Sequence, residues 1–143
     1  MMDYNPFSLN GKTILVTGAA GGIGRATSIE CAKLGAKLVL TDINEAGLHE
    51  TLSMLEGSDH ELKTADLTSQ EALDILVSEL PMLDGFVSNA GVTKPTPVKF
   101  INKADLERIM SINTFAPIYF PQRLLKKKKF NAGASLVFTV SVG

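Results

Sequence analysis

At 143 residues, with 45% apolar and 20% charged residues, the chain has the size and composition of one globular domain with a sizeable core. A formal net charge of −1 gives no basis for nucleic-acid or acidic-membrane binding, and no apolar run reaches membrane-spanning length. The single Cys31 excludes a disulfide framework, and residues 1–10 lack the layout of a secretory signal, so the cytoplasm is the expected compartment.

Residues 12–17 form an apolar β-type run that opens on a turn with glycines at 18, 22 and 24. A helix is expected over 22–34, with Gly35 placed to stop it. The second strand covers 37–42, and Asn44 caps a helix whose Leu48, Leu52 and Leu55 recur at helical spacing until Gly57. A third strand is read over 60–66. Thr68-Ser69-Gln70-Glu71 then reads as a capping box opening a helix with Leu73, Leu76, Val77 and Leu80 on one face. Residues 85–89 form a fourth strand, Asn102 starts a long helix with Leu106, Ile109 and Met110 inward, and 135–140 form a fifth strand.

This alternation predicts an α/β fold, a doubly wound Rossmann-type parallel sheet of five strands, with helices on both faces and right-handed crossovers. The continuous apolar runs of the strands fit burial on both sides. Residues 1–143 are read as one such domain.

The turn after the first strand carries the chemistry. Glycines at 18, 22 and 24 let backbone N–H groups approach a pyrophosphate, with the following helix N-terminus directed at its charge. Asp42 ends the second strand, where a carboxylate can accept hydrogen bonds from the adenosine ribose and would repel a 2′-phosphate. Gly21 stands where a basic side chain could have welcomed that phosphate, so both positions favour NAD over NADP. The alternative for Asp42 is a cap on the following turn. Asn113 falls on the stripe set by Leu106, where an amide needs a hydrogen-bonding partner. Pro117, four residues on, has no N–H to give the Asn113 carbonyl, so the helix should kink there and leave that carbonyl for another partner. The alternative for Asn113 is a buried amide satisfied by neighbouring backbone. Lys126 to Lys129 should complement the helix C-terminus, and His49 and His60 have no partners at metal-ligand spacing.

The Thr17-Gly18-x-x-x-Gly22-x-Gly24 pattern differs from the common Gly-x-Gly-x-x-Gly fingerprint. With Ser88-Asn89-Ala90-Gly91 closing the fourth strand, it resembles the classical short-chain dehydrogenase/reductase family, Ser88 replacing a usual Asn. The resemblance covers the whole chain and the N-terminal half or so of the family pattern. It implies cofactor contacts from Thr17, Gly18, Ala20, Gly21, Gly22, Ile23, Gly24, Asp42, Ile43, Asp66, Leu67, Asn89, Ala90 and Gly91. Within these, Asp66 would bond the adenine amino group, with capping of the next helix as its alternative. Asn113 would hold a water in a proton relay, and Ser141 would hydrogen-bond the reacting oxygen of the substrate without covalent attack.

The family's Tyr-x-x-x-Lys pair would lie roughly a dozen residues beyond Ser141, and the sequence stops at Gly143. Tyr4 and Tyr119 are the two tyrosines present, and Arg123, not Lys, stands four after Tyr119. The chain is therefore read as part of a longer enzyme, truncated after the fifth strand and inactive by itself. The expected activity is hydride transfer between NAD(H) and a secondary alcohol or ketone, such as a polyol, sugar or 3-oxoacyl substrate. The expected assembly is a homotetramer or homodimer. The competing reading is a non-catalytic dinucleotide-binding module that lacks the reaction centre.

Overall fold

The computed structural model describes residues 4–141. Five parallel strands, β1 (Thr13–Thr17), β2 (Lys37–Asp42), β3 (Glu61–Thr64), β4 (Leu83–Ser88) and β5 (Phe130–Phe138), pair in the order β3-β2-β1-β4-β5. Between them run α1 (Gly22–Lys33), α2 (Glu45–Ser53), α3 (Gln70–Glu79), α4 (Lys103–Met110) and α5 (Ala116–Lys126).

Strand side chains alternate between the two faces of the sheet, so the core is split in two. On one face Leu15, Val39 and Phe86 pack with Leu73, Leu76 and Val77 of α3 and with Phe120 and Leu124 of α5. On the other, Ile14, Val16, Leu38 and Leu40 pack with Ala32 of α1 and Leu48 of α2. Phe86 meets Phe120 edge to face, with ring centroids 5.3 Å apart, and each fully buried aromatic contributes about 1.5–3 kcal/mol relative to exposure. The doubly wound parallel sheet expected from the sequence is the observed fold.

The helix starts follow local chemistry. Asn44 accepts from the Gly47 N–H, Ser69 from the Ala72 N–H and Asn102 from the Asp105 N–H. Ser69, not Thr68, is therefore the cap of α3. Thr68 instead donates its N–H and its hydroxyl to Asp66 Oδ1, at 2.9 and 2.7 Å. That turn ends β3 at Thr64 and leaves Asp66 beyond the strand.

The largest departure lies in the long helix expected from Asn102. It is built as α4, a π-helical turn over Ser111–Phe115, and α5. The Ala116 N–H bonds the Ser111 carbonyl five residues back, and Pro117 follows with no N–H to restore four-residue spacing. The expected kink at Asn113 thus takes the form of one extra residue in a turn. That residue swings α4 by about 100° against α5. Phe120 and Leu124 consequently face the sheet while Leu106 and Met110 are exposed and Ile109 only half-buried. β5 also begins earlier and ends sooner than 135–140. Between the Leu83↔Phe130 and Gly85↔Ser135 pairs it bulges, with Gly133 at φ +78°.

At the amino end of the sheet Asp84 joins three strands. It accepts from the Thr13 N–H at 2.9 Å and from Asn131 Nδ2 at 3.1 Å, with Lys12 Nζ 3.9 Å away. The Thr13 amide first, then Asn131 and Lys12, hold its carboxyl below the ordinary carboxylate value. A carboxyl depressed in the folded state stabilises the fold above its unfolded pKa of about 4, and that contribution disappears as pH falls through the lower folded value. Chemical denaturation of the wild type should show stability falling on the acid side of about pH 4. In Asp84→Asn that fall should be shallower, and equal slopes in the two proteins would remove Asp84 as its source.

Candidate dinucleotide site

The chain runs outward from β1 to β2 and β3, then returns to place β4 on the other side of β1. The carboxyl ends of β1 and β4 therefore flank the point where the winding reverses, where open α/β sheets bind ligands. Thr17, only 1% exposed, closes that point. Its Oγ1 accepts from the Asn89 and Ala90 N–H groups, both at 3.0 Å. The two loops that follow β1 and β4 are thus held against each other.

This approach dictates the glycines. Gly18 has φ +66°, and a Cβ there would lie 2.9 Å from Ala90 Cα. A Cβ on Gly24 would lie 2.1 Å from the Gly18 carbonyl oxygen, where only glycine fits. Gly21 and Gly22 have a different setting: a Cβ on either would meet nothing within 4 Å. They border open space at the start of α1, which has no side-chain cap and no acidic residue in its first turn. The capped starts of α2, α3 and α4 supply the contrast. An uncapped N-terminus beside an open, glycine-lined space has the donor set and the room that a pyrophosphate requires.

The rest of the loop is clamped from β2 and α2. The Ala19 N–H reaches the Thr41 carbonyl at 3.2 Å, and the Thr51 hydroxyl donates to the Ala19 carbonyl at 2.7 Å. Asp42 Oδ2 accepts from the Ala20 N–H at 3.1 Å while its Oδ1 accepts from the Asn44 N–H at 3.0 Å. The turn-capping role held open for Asp42 is therefore present, together with a bond to the glycine loop. Arg25 donates to the Ala20 carbonyl at 2.6 Å and also to Thr51 and Glu50. Sequence reasoning passed over Arg25 and Thr51, because the contacts that tie α1 and the loop before it to α2, Arg25 to Thr51 and Thr51 to Ala19, join groups 26 and 32 residues apart along the chain.

A cleft of about 310 Å³ opens beside this loop. Gly18, Asp42, Ile43, Asp66, Leu67 and Ala90 line it, with Gly91 alongside. The structure thus gathers eight of the expected contacts, Thr17 included, at one place. Ile23 is exposed in the first turn of α1. Val92, at the end of the Asn89–Val92 stretch expected beside the cofactor, is also at the cleft, as are Arg108 and Ile112, which sequence reasoning did not single out. The four-residue spacing of Arg108 and Ile112 on one helix was the available signal.

The two residues expected to take part in catalysis lie outside that lining. Asn113 is exposed rather than inward. Its Oδ1 accepts from the Val92 N–H and its Nδ2 donates to the Val92 carbonyl, both at 2.8 Å. The amide is satisfied by backbone, as the alternative expected, but at the surface and not buried, and the extra residue of the π-helical turn is what rotates Asn113 out. Ser141 is exposed beyond the end of β5, where the Thr139 N–H still bonds the Ser88 carbonyl at 2.9 Å. Replacing Asn113 with Leu should free the Val92 backbone and raise hydrogen exchange at the Val92 amide by about fivefold, as expected for losing roughly 1 kcal/mol of hydrogen bonding. An unchanged exchange rate would mean that the loop is held by other contacts.

Comparison with known proteins agrees with this geometry. The family profile described as short chain dehydrogenase matches residues 12–143. A 3-oxoacyl-[acyl-carrier-protein] reductase of Rickettsia bellii is 31% identical over 134 residues, covering 94% of this chain and 55% of that protein. A glucose 1-dehydrogenase of Gluconobacter oxydans is 36% identical over 110 residues, covering 72% of this chain and 41% of that protein. A crystal structure of the landomycin C-6 ketoreductase LanV with bound NADP and rabelomycin superimposes with a TM-score of 0.86 at 28% identity, covering 94% of this chain and 59% of that one. The chain spans about half the length of the curated relatives it matches. With the profile matched across nearly all of its residues, the chain belongs to the short-chain dehydrogenase family.

Proposed function

We propose that this chain forms the dinucleotide-binding part of an NAD-dependent oxidoreductase that moves a hydride between the nicotinamide and a secondary alcohol or ketone. The observation that carries the reading is the uncapped start of α1 beside Gly21 and Gly22, next to the cleft lined by Asp42 and Asp66. The names of the relatives, a 3-oxoacyl reductase and a glucose 1-dehydrogenase among them, support an alcohol or ketone as the reacting class and differ too much to single out one substrate.

When bound, the cofactor would supply the hydride chemistry. The chain's own residues bind and orient. Backbone N–H groups from Gly21 into the first turn of α1 take the pyrophosphate charge. Asp42 keeps one further lone-pair direction on each carboxylate oxygen for the ribose hydroxyls. Asp66 Oδ2, which has no hydrogen bond among the described residues, faces the adenine amino group, with Leu67 against the ring. Asn89, Ala90 and Gly91 line the approach to the nicotinamide, and Ile23 and Ile43 shield the edges. Ser141 donates to the reacting oxygen, and Asn113 sets the backbone path for a relay water.

NAD is preferred over NADP because a carboxylate at 42 repels a 2′-phosphate and neither Gly21 nor Ile43 offers a cation. LanV holds NADP, so the preference rests on these side chains and not on the family. The expected homo-oligomer finds support in α5. Its outward stripe of Ile118, Tyr119 and Leu125, with Phe115 just before it, is exposed and apolar at helical spacing.

Titration of the chain with NAD should show saturable binding that Gly24→Val abolishes, since a side chain there collides with the Gly18 carbonyl. Binding absent from the wild type, or retained in Gly24→Val, would defeat the reading. Asp42→Ala should shift the NAD/NADP affinity ratio toward NADP by about tenfold and lower the melting temperature as well, because the same carboxylate holds Ala20 and Asn44. An unchanged ratio would leave Asp42 as a structural cap alone.

A further inference from the structure

We infer that Arg108 is an adenine-binding residue, laying its guanidinium plane over the base at the outer end of the cleft. This rests on the dinucleotide reading above and adds to it a residue from α4. Arg108 lines the same cleft as Asp42, Asp66 and Leu67, and it stands one helical turn before Ile112, which lines it too.

The charges around Arg108 are already committed elsewhere. Asp105, three residues earlier on the same helix, gives its carboxylate to Lys94 Nζ and to Asn102 Nδ2. Glu107 pairs with Lys103 at 3.5 Å. Asp66 Oδ1 takes both groups of Thr68, and Asp42 takes Ala20 and Asn44. Among the described residues the Arg108 side chain makes no hydrogen bond or salt bridge; its charge acts on Asp105 only at longer range, and two carboxylates line its cleft. A cation left unpaired beside acids that backbone and side-chain donors occupy is open to a ligand.

The shape of the cleft says which ligand. Leu67 and Ile112 provide apolar walls, as a flat heterocycle requires. A guanidinium stacks on an aromatic plane and offers donors to ring nitrogens, and a lysine cannot do both. A phosphate in place of the base would put its charge beside Asp42 and Asp66, which the field of the two acids opposes. The π-helical turn carries the argument further. By rotating α4 against α5 it turns the α4 face that bears Arg108 toward the cleft, beside Ile112 of the turn itself, and it takes Leu106 and Met110 away from the sheet.

Calorimetric titration of the wild type, Arg108→Met and Arg108→Lys with NAD, NADP and AMP tests this. AMP carries the base without the nicotinamide. Arg108→Met is expected to weaken NAD and AMP alike, by about five- to tenfold, with an unchanged melting temperature. Arg108→Lys, which keeps the charge and loses the plane, should recover little of that loss. Affinities for NAD and AMP unchanged in Arg108→Met would overturn the inference. So would a loss confined to NADP, which assigns the guanidinium to a 2′-phosphate, or full recovery by Lys. Wild type that binds neither NAD nor AMP would defeat the dinucleotide reading itself, and this inference with it.

Discussion

One buried hydroxyl holds the site end of this molecule together. Thr17 Oγ1 accepts two successive backbone N–H groups from the loop after β4 and so fixes how closely the ends of β1 and β4 approach. The remaining constraints follow from that distance. Gly18 has no room for a side chain because Ala90 lies against it, and Gly24 has none because the Gly18 carbonyl turns back over the start of α1. A larger residue at any of these positions would part the strands at the point where the winding reverses. The cleft would go with them, since its floor is made by the same two loops.

Structure and binding share residues here. Asp42 is where a ribose would be read, yet both of its oxygens already accept backbone N–H groups of the loop and of the turn into α2. Arg25 completes the clamp by donating to the Ala20 carbonyl, so Ala20 is held at its N–H and its carbonyl by opposite charges. A loop pinned in this way pays little ordering cost when an anion arrives. The exposed start of α1 is left without the side-chain cap that α2, α3 and α4 possess, and its unsatisfied donors are the ones a phosphate would take.

The π-helical turn is the other organising feature. Pro117 removes one donor, the chain accommodates by closing a five-residue turn, and the face of α4 rotates away from the stripe that continues into α5. This explains why Asn113 lies at the surface gripping Val92 instead of facing the core. It also explains why α4 contributes to the cleft and not to the sheet packing. The apolar residues that a continuous helix would have buried, Leu106 and Met110, remain exposed.

The sequence by itself determined the element types, their order, the parallel sheet and the glycine loop. Each of these is encoded locally, in apolar runs, caps such as Asn44 and Asn102, and glycines whose spacing is tied to one strand–helix turn. Asp42, Asp66 and the Asn89–Gly91 stretch were legible because strand ends mark the binding edge of such a sheet. Tertiary structure alone decided that Asp42 would serve the loop, that Asn113 would bond Val92, and that Arg108 would reach the cleft unpaired. Those outcomes depend on contacts such as Ala20 to Asp42 and Val92 to Asn113, more than 20 residues apart, and on one extra residue in a helical turn, which helical spacing alone does not record.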